Sequence, residues 1–281
     1  MKYLGLSGGA DSVFLFHQLK SGFIAIHINH NQNHYDTLSQ AFVEELCKSH
    51  QIPLIIVNVY ATNETNAREL RYNEFLKIVQ NNQLYLGHHL EDSVETTLLN
   101  IFNGSSLLGA RGIDSYSNFK GMSICRPNIE AKLSKEFIKK ELVKNGHEWV
   151  EDNSNYDIKI KRNFIRHVIL PHINKMFPNA INKINDFAKH CQIQSELNRK
   201  LAHYTNINMK MCIDNMLTKD EYELSNWFFY MTQLKGVYLT KRHFNEFNNF
   251  IKGKGMICQL DCLLFTKNNN TLEINKKEEL Q

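Results

Sequence analysis

Short apolar runs alternate with longer segments of helical periodicity in the first half of the chain. The apolar runs have strand length and occur, in chain order, at Tyr3–Leu6, Phe23–Ile28, Leu54–Val59, Leu84–Leu86 and Ser123–Arg126. Continuous apolar runs of this length are typical of strands buried on both faces, as in parallel sheets. Their alternation with helices favours a parallel sheet covered by helices. The pattern therefore predicts an α/β fold.

Helical periodicity fills the segments between and after these runs. The predicted helices span Val13–Leu19, Asp36–Ser49, Asn66–Val79, Asp92–Phe102, Lys135–Lys144 and Arg162–Asn174. Ser134 is the expected N-cap of the fifth helix, because its hydroxyl can accept a hydrogen bond from the first turn. Pro171 is expected to interrupt the sixth helix, because proline has no N–H to donate.

Longer helical segments replace this alternation after residue 178. They span Ala180–Tyr204, Glu221–Leu234 and Lys241–Ile251, and Thr240 is the predicted cap of the last. Met256–Phe265 and Leu272–Ile274 predict a small hairpin around Asn268–Asn270. We therefore predict a first domain over residues 1–176 and a smaller, mainly helical domain over residues 177–281 that ends in a β-hairpin.

The hexapeptide Ser7–Ser12 lies between the first apolar run and the first predicted helix. Gly8 and Gly9 let the backbone turn tightly and bring consecutive N–H groups close to a ligand. The helix start contributes unpaired N–H groups and the positive end of its dipole, and the two serines contribute hydroxyl donors. With Ala10 and Asp11 these features predict an anion site sized for phosphate. The alternative is an ordinary turn that caps a helix, and the Gly-Lys-Ser/Thr ending of a Walker A loop is absent.

Polar residues follow three of the predicted strands. Ser7–Ser12, His27–His30 and Gly87–His89 each lie where a strand ends. Because ligands bind at the carboxyl ends of the strands in open α/β sheets, we expect the three segments to form one site.

Asp92 and Glu95 lie three residues apart on a predicted helix, so their carboxylates share a face. Beside a phosphate site, such a pair is suited to holding Mg²⁺. His88 and His89 stand just before this helix, where one of them could hydrogen-bond a phosphate or a leaving group. The alternative interpretation of the two acids is a solvated helix face.

Two pairs of arginines lie at helical spacing. Arg68 and Arg71 could face phosphate or RNA, or could form surface ion pairs with Glu69 and Glu74. Arg162 and Arg166 lie one turn apart and could clamp a phosphate or neutralise charge that develops in a transition state. The alternative for this second pair is a structural role, in which Asp152 and Asn163 tie a loop to the helix.

Charge is distributed unevenly along the 281 residues. Residues 1–131 carry 9 Lys and Arg against 12 Asp and Glu, whereas the rest of the chain carries 24 against 17. A basic second half beside a phosphate site suggests a polyanionic partner, and the alternative is a solvated lysine-rich surface. We expect a cytoplasmic protein with reduced cysteines, because the six cysteines form no Cys-x-x-Cys pair and neither a leader nor an apolar membrane span is evident.

Six segments together resemble one family. Ser7–Ser12 matches the SGGxDS loop of the N-type ATP pyrophosphatases, or PP-loop superfamily. A narrower resemblance to the tRNA(Ile)-lysidine synthetases is carried by His27–His30, Ala67–Tyr72, Gly87–Thr96, Arg126–Pro127, and Trp149–Asn155 with Arg162–Arg166. The matches occur in the family's order and cover about residues 3–172.

This resemblance implies a five-stranded parallel sheet of the adenine nucleotide hydrolase type, with a helical domain that positions tRNA. It implies a ligase that uses ATP to adenylate the C2 oxygen of the wobble cytidine in a CAU-anticodon tRNA(Ile). Free L-lysine then displaces AMP and gives lysidine, which changes the identity of the tRNA from methionine to isoleucine. The implied partners are tRNA(Ile), lysine, ATP and Mg²⁺. The oligomeric state stays open, with a homodimer as one alternative.

The resemblance also assigns roles to individual residues. The implied ATP-binding residues are Ser7, Gly8, Gly9, Ala10, Asp11, Ser12, His27, Asn29, Arg71 and His88. The implied catalytic residues are Asp11, Asp92, Glu95 and Arg166, of which Asp92 and Glu95 would hold Mg²⁺.

The chain departs from the family pattern at several points. Ser93 replaces a glutamine, and Asn103–Ser106 lacks the arginine that the family has there. The region after residue 178 is short, so we expect the further tRNA-binding domain of longer members to be absent. Two alternatives remain, namely another PP-loop tRNA-modifying enzyme such as a 2-thiocytidine synthetase, or a non-catalytic nucleotide- or RNA-binding module.

Overall fold

The computed structural model describes residues 1–30, 34–60, 64–205, 211–217, 220–234, 237, 239, 241–268 and 271–276. The chain forms two compact units, one of residues 1–103 and 109–189 and the other of residues 104–108 and 190–281. The division at residue 189 falls within a long helix, whereas the predicted domain boundary lies near residue 176.

A six-stranded sheet forms the centre of the first unit. Its strands are β1 (Lys2–Gly5), β2 (Ile24–Asn29), β3 (Leu54–Asn58), β4 (Gln83–Tyr85), β5 (Tyr116–Phe119) and β6 (Met122–Cys125). The spatial order is β3-β2-β1-β4-β6-β5. All neighbours pair in parallel except β5 and β6, which are antiparallel. The predicted α/β fold with five parallel strands is therefore confirmed, and β5 is an additional edge strand.

A tight turn joins β5 to β6. Phe119 pairs with Met122, and the two residues between them, Lys120 and Gly121, have φ values of 50° and 91°. Two consecutive positive φ values are typical of a type I′ turn, whose twist matches that of the paired strands. Asn118 accepts a hydrogen bond from the Gly121 N–H at 3.0 Å and stabilises the turn.

Helices cover both faces of this sheet. The helices of the first unit are α1 (Ala10–Leu19), α2 (His34–Ser49), α3 (Glu64–Val79), α4 (Leu90–Phe102), α5 (Pro127–Glu130), α6 (Lys135–Lys144), α7 (Lys161–Phe164) and α8 (Leu170–Met176). A ninth helix, α9 (Ala180–Thr205), begins in this unit and continues into the second. A 3₁₀ turn spans Asn153–Tyr156. The strand alternation sends Leu4 into a core shared with α1, α2 and α6, and sends Tyr3 into a core shared with α3.

The helix predicted from Arg162 to Asn174 is continuous but irregular. A π-helical turn, Ile165–Ile169, joins α7 directly to α8. Pro171 therefore does not end the helix but lies in the first turn of α8, where a missing N–H is tolerated. Ser134 caps α6 as predicted, accepting a hydrogen bond from the Phe137 N–H at 3.1 Å.

The second unit contains a four-stranded antiparallel sheet with helices. Its elements are β7 (Met211–Cys212), α10 (Ile213–Leu217), α11 (Glu221–Leu234), α12 (Lys241–Lys252), β8 (Ile257–Leu260), β9 (Leu263–Asn268) and β10 (Thr271–Lys276), and the strand order is β7-β10-β9-β8. A cluster of aromatic rings fills the core, where Phe228 contacts Phe244, Phe247 and Phe265.

This sheet is larger than the predicted hairpin. The run from Met256 to Phe265 forms two strands, because the chain reverses at Asp261 and Cys262 with Asp261 at a φ of 55°. Aspartate tolerates this left-handed conformation better than most residues do. Thr240 and Asn269–Asn270, the predicted cap and turn residues, lie outside the described residues. None of the helices in the described ranges has the length and apolar character needed to cross a bilayer.

Candidate active site

The loop between β1 and α1 is held open by its own serines. The Ser12 hydroxyl donates to the Gly9 carbonyl at 3.0 Å, accepts from the Ser7 N–H at 3.2 Å and lies 3.1 Å from the Ser7 hydroxyl. Gly8 has a φ of 86°, which strongly favours glycine. Gly9, Ala10 and Asp11, where α1 begins, line the cavity described next.

Two other segments pack closely against this loop. A side chain at Gly87 would place its Cβ 2.6 Å from the Asp11 carbonyl oxygen, so only glycine lets the end of β4 approach α1. The Val150 N–H donates to the Gly8 carbonyl at 2.9 Å, which fixes the segment that follows α6 beside the loop.

These segments enclose a cavity of about 520 Å³ at the carboxyl ends of the parallel strands. Ten of the predicted site residues line it, namely Ser7, Gly9, Ala10, Asp11, Ser12, His27, Arg71, His88, Asp92 and Arg166. Gly8, Asn29 and Glu95 do not line the cavity. The structure therefore brings together three segments that the sequence analysis placed at separate strand ends.

A buried ionic cluster forms the floor beside α4. Glu95 is fully buried, and its two carboxylate oxygens accept from Arg166 at 2.6 and 2.8 Å and from Arg162 at 3.1 Å. Arg166 also lies 3.1 Å from Asp92. Burial disfavours a charged Arg166, but the hydrogen bond to Glu95 together with the charges of Glu95, Asp92 and Asp11 outweighs this effect and raises the pKa of Arg166. The cluster holds the Arg166 side chain at the cavity wall.

The neighbouring histidines His88 and His89 differ in charge, the first neutral and the second positively charged. Burial lowers the pKa of His88 to about 3, so His88 is neutral. Burial also opposes charge on His89, but Asp92, Glu91 and Asp11 raise its pKa to about 9. The His89 ring lies 3.0 Å from Glu91, 3.5 Å from Asp92 and 3.8 Å from Asp11. His89 is therefore a buried imidazolium surrounded by three carboxylates.

The sequence left open which of His88 and His89 acts at the site, and the resemblance assigned only His88 to ATP binding. The adjacency of His89 to His88 in Gly87–His89 was the available signal, but the residue type alone could not show which imidazole meets the carboxylates. Lys135, which lines the same cavity, gave no sequence signal at all.

Several buried polar atoms around the cavity have no hydrogen-bond partner among the described residues. They are Asp11 Oδ1, His27 Nε2, His30 Nδ1, His88 Nδ1 and His89 Nε2. Buried polar groups normally find partners, so a concentration of unpaired atoms around one cavity is characteristic of a ligand site.

The carboxylates fit a magnesium ion only in part. Asp11 has an unpaired oxygen beside the cavity, and Asp92 lines the same wall. Mg²⁺ is usually held by one or two carboxylates together with substrate phosphates. Asp11 can supply one of them, whereas the Asp92 oxygens already accept from the Arg166 guanidinium at 3.1 Å and from the His89 N–H at 3.0 Å. Both oxygens of Glu95, which was expected to hold Mg²⁺ with Asp92, are instead bonded to guanidinium groups. Glu95 thus serves as their counter-ion.

Comparison with known proteins decides the family. A sequence profile described as "PP-loop domain" matches residues 2–173, which include the whole loop and every residue of the cavity. The chain belongs to the PP-loop family. The loop, the six-stranded sheet and the cavity therefore all lie within the PP-loop domain of this chain.

Curated relatives confirm the narrower resemblance. A tRNA(Ile)-lysidine synthase of Actinobacillus pleuropneumoniae serotype 3 (strain JL03) is 34% identical over 206 residues, which are 70% of this chain and 49% of that protein. A protein of the same name from Legionella pneumophila (strain Lens) is 33% identical, over 67% of this chain and 46% of its own length. Another, from Wigglesworthia glossinidia brevipalpis, is 29% identical, over 88% of this chain and 65% of its own length. The chain spans about half the length of the first of these relatives.

A solved structure shares the fold of the PP-loop domain. The U34-tRNA thiolase NcsA from Methanococcus maripaludis, solved with its [4Fe-4S] cluster, superimposes with a TM-score of 0.57 at 18% identity. The match covers 67% of this chain and 70% of that protein.

Proposed function

We propose that this PP-loop protein is a tRNA(Ile)-lysidine synthetase, which ligates lysine to C2 of the wobble cytidine of CAU-anticodon tRNA(Ile) at the expense of ATP. One observation carries the proposal. The loop Ser7–Ser12, the carboxylates of Asp11 and Asp92 and the Arg166 guanidinium line a single cavity in a chain whose curated relatives bear that name. ATP and tRNA are accordingly the proposed substrates, and free lysine the second nucleophile.

In the first proposed step, the C2 oxygen of the cytidine attacks the α-phosphorus of ATP and pyrophosphate leaves. The loop N–H groups and the hydroxyls of Ser7 and Ser12 would hold the leaving phosphates. Arg166, oriented by Glu95, would stabilise the charge that develops on the α-phosphate. Asp11 and Asp92 would hold a Mg²⁺ ion, which when bound supplies charge neutralisation on the phosphates.

In the second proposed step, the ε-amine of lysine attacks C2, loses a proton, and AMP leaves with its bonding electron pair. The carboxylates of Asp11 and Asp92 would attract the incoming ammonium group. His89 already carries its proton and cannot accept another, whereas His88 is neutral and has an unpaired Nδ1. The chain's contribution to both steps is positioning and preorganised charge.

The proposal extends to two further parts of the chain. The region after about residue 176 would help to position the tRNA, and His27, Asn29 and Arg71 would contribute to ATP binding. A cytoplasmic location and a homodimer stay predictions.

Sulfur transfer, the first alternative, is less well supported by the cysteines. Cys47 and Cys125 are buried, and burial raises the pKa of the Cys47 thiol to about 11 and that of Cys125 above its usual value. Thiol chemistry needs an accessible thiolate, which these environments disfavour. A non-catalytic module, the second alternative, would have no need for the buried ionic cluster around Arg166.

The test is an assay of AMP release with a transcript of CAU-anticodon tRNA(Ile). We expect AMP to form only when lysine and ATP are both present, and lysidine to appear at the wobble position by mass spectrometry of the digested RNA. Elongator methionine tRNA should be a much poorer substrate. AMP release that is indifferent to lysine, or equal rates with the two tRNAs, would contradict the proposal.

A further inference from the structure

An exposed aromatic pair lies beside the cavity. Tyr156 ends the 3₁₀ turn with 58% of its surface exposed, and its ring stacks on His167 with centroids 5.4 Å apart and planes inclined by 27°. Ile158 and Phe164, within the same short stretch, are 54% and 42% exposed. Single exposed apolar residues are common. With His167, these residues place three exposed rings and one exposed aliphatic side chain within 12 residues, and the exposure of such a patch to water is unfavourable.

The pair is held in place by hydrogen bonds, and Tyr156 keeps more than half of its surface exposed. The His167 Nε2 lies 2.8 Å from the Asn155 carbonyl oxygen, and Asn163 donates to the carbonyls of Ser154 and Asp157 at 2.9 and 3.1 Å. The Tyr156 hydroxyl donates to Glu151 at 3.2 Å. A rigid, exposed aromatic surface loses little entropy when a planar ligand stacks on it.

The platform of Tyr156 and His167 is directly connected to the cavity. Ser154 and Asn155, in the same 3₁₀ turn as Tyr156, line the cavity wall. On the other side, His167 follows Arg166, whose guanidinium is bonded to Glu95 and Asp92. Consecutive Cα atoms are about 3.8 Å apart, so the backbone that carries the platform residues also carries residues of the cavity wall.

Exposed lysines accompany the platform. Lys159 and Lys161 lie in the stretch between Tyr156 and His167, which also holds the exposed Asp157. Single-stranded nucleic acids bind where cationic side chains follow the backbone and aromatic rings stack on the bases. A peptide or small apolar ligand would not need the lysines, so the combination favours RNA.

We propose that Tyr156 and His167 form a stacking platform for the unpaired nucleotide next to the one that enters the cavity. This inference rests on the proposed function, because it takes an anticodon loop as the RNA. The platform binds the base of the neighbouring nucleotide through its face, irrespective of hydrogen-bonding pattern, and Lys159 and Lys161 contact its phosphates. The reacting cytidine is thereby separated from its neighbour and directed into the cavity.

The test measures binding of the anticodon stem-loop RNA of CAU-anticodon tRNA(Ile) to the full chain, without ATP or lysine, by fluorescence anisotropy. We expect Tyr156→Ala to weaken binding about tenfold, the effect of losing one stacked base. Tyr156→Phe keeps the ring and loses only the bond to Glu151, so it should bind as the wild type does. The KM for tRNA should rise in Tyr156→Ala, while the KM for ATP stays unchanged.

Tyr116→Ala is the matched control. Tyr116 is also 58% exposed and also donates its hydroxyl to a glutamate, Glu130, but it lies on the edge strand β5. Unchanged binding in Tyr156→Ala, or an equal loss in Tyr116→Ala, would overturn the platform. Because this assay involves no reaction, loss of RNA binding in Tyr156→Ala alone would support the platform even if the wild type formed no lysidine.

Discussion

The two units of the molecule treat buried charge in different ways. In the second unit, the Lys267 ammonium is almost fully buried and donates to the carbonyls of Phe250, Ile251 and Gly253 at 2.6, 3.0 and 2.7 Å. It thus satisfies the free carbonyls at the end of α12 and interacts favourably with the helix dipole. In the first unit, Asp11 keeps a buried oxygen without a partner in the described part of the chain.

The comparison separates groups that stabilise the fold from groups that await a ligand. Lys267 uses its hydrogen-bonding capacity within the protein on three carbonyls, although burial lowers the pKa of its ammonium group. Burial raises the pKa of Asp11 despite the nearby His89, which means that its ionised form is less stable in the fold than in water. Glu95 is intermediate, because it is satisfied within the protein but serves to hold Arg166 at the cavity.

The largest expected effect is that of Asp11→Asn on turnover. We expect lysine-dependent AMP formation to fall by about a thousandfold, because the variant loses a carboxylate that would hold the proposed Mg²⁺ ion and attract the lysine ammonium group. The free energy of unfolding should stay the same or increase, because a buried charge is removed. Asp186→Asn, at an exposed ion pair with Lys132, is the control and should keep its activity. A marked loss of stability in Asp11→Asn would show that Asp11 is structural.

Glu95→Gln should affect both stability and activity. It leaves Arg162 and Arg166 without their main counter-ion, and breaking a buried ion pair typically costs about 3 kcal/mol. Denaturant unfolding measures the stability, and the AMP assay should show a strong loss of turnover. Glu74→Gln removes an exposed pair with Lys77 and should change stability by less than about 0.5 kcal/mol. Similar stabilities for the two variants would contradict the assigned role of Glu95.

Lys267→Met should destabilise the second unit by about 2 kcal/mol, because three carbonyls lose their donor and the helix end loses its cation. Hydrogen exchange should report the change in residues 241–268, and ATP binding to the first unit should persist. Lys252→Met is the matched control, since Lys252 is an exposed residue at the end of the same helix. Equal exchange rates in the two variants would contradict the assigned role of Lys267 in stabilising the end of α12.

The smallest effect concerns pH. The pKa of His89 is raised from 6.5 to about 9, so its stabilising contribution is complete below pH 6.5 and is lost as the pH rises through about 9. Between about pH 7 and about pH 8 this should lower the free energy of unfolding by about 1 kcal/mol. His89→Gln should show a flatter dependence over that interval in denaturant titrations. Identical slopes in variant and wild type would argue against a charged His89.

The sequence predicted those parts of the fold that repeat a short-range pattern. The five parallel strands follow from apolar runs, and the loop follows from glycines and serines within six residues. β5 and the reversal at Asp261 were missed, because each depends on residues with positive φ in a turn without the usual Asn-Gly signal. Helical spacing could not place the π-helical turn either.

At the site, the sequence identified individual residues but not the residues that each of them contacts. Asp92, Glu95 and Arg166 were expected to act at one place, but Glu95 meets guanidinium groups 67 and 71 residues further along the chain. Contacts at that separation are set by how helices pack on the sheet, not by local spacing. The different charge states of His88 and His89 likewise arise from tertiary surroundings, since the two residues are identical and adjacent.

The π-helical turn at Ile165–Ile169 has a consequence for how this helix tolerates insertions and deletions. A π turn contains one residue more than an α turn, so the helix resembles a regular one with a single residue inserted. Removing one residue there would restore regular geometry, and Leu170 would keep its place in the core. We expect the shortened chain to fold. The side chains of Arg166 and His167 would then point in other directions than they do now, so the single extra residue of the π-helical turn is needed for the site but not for the helix.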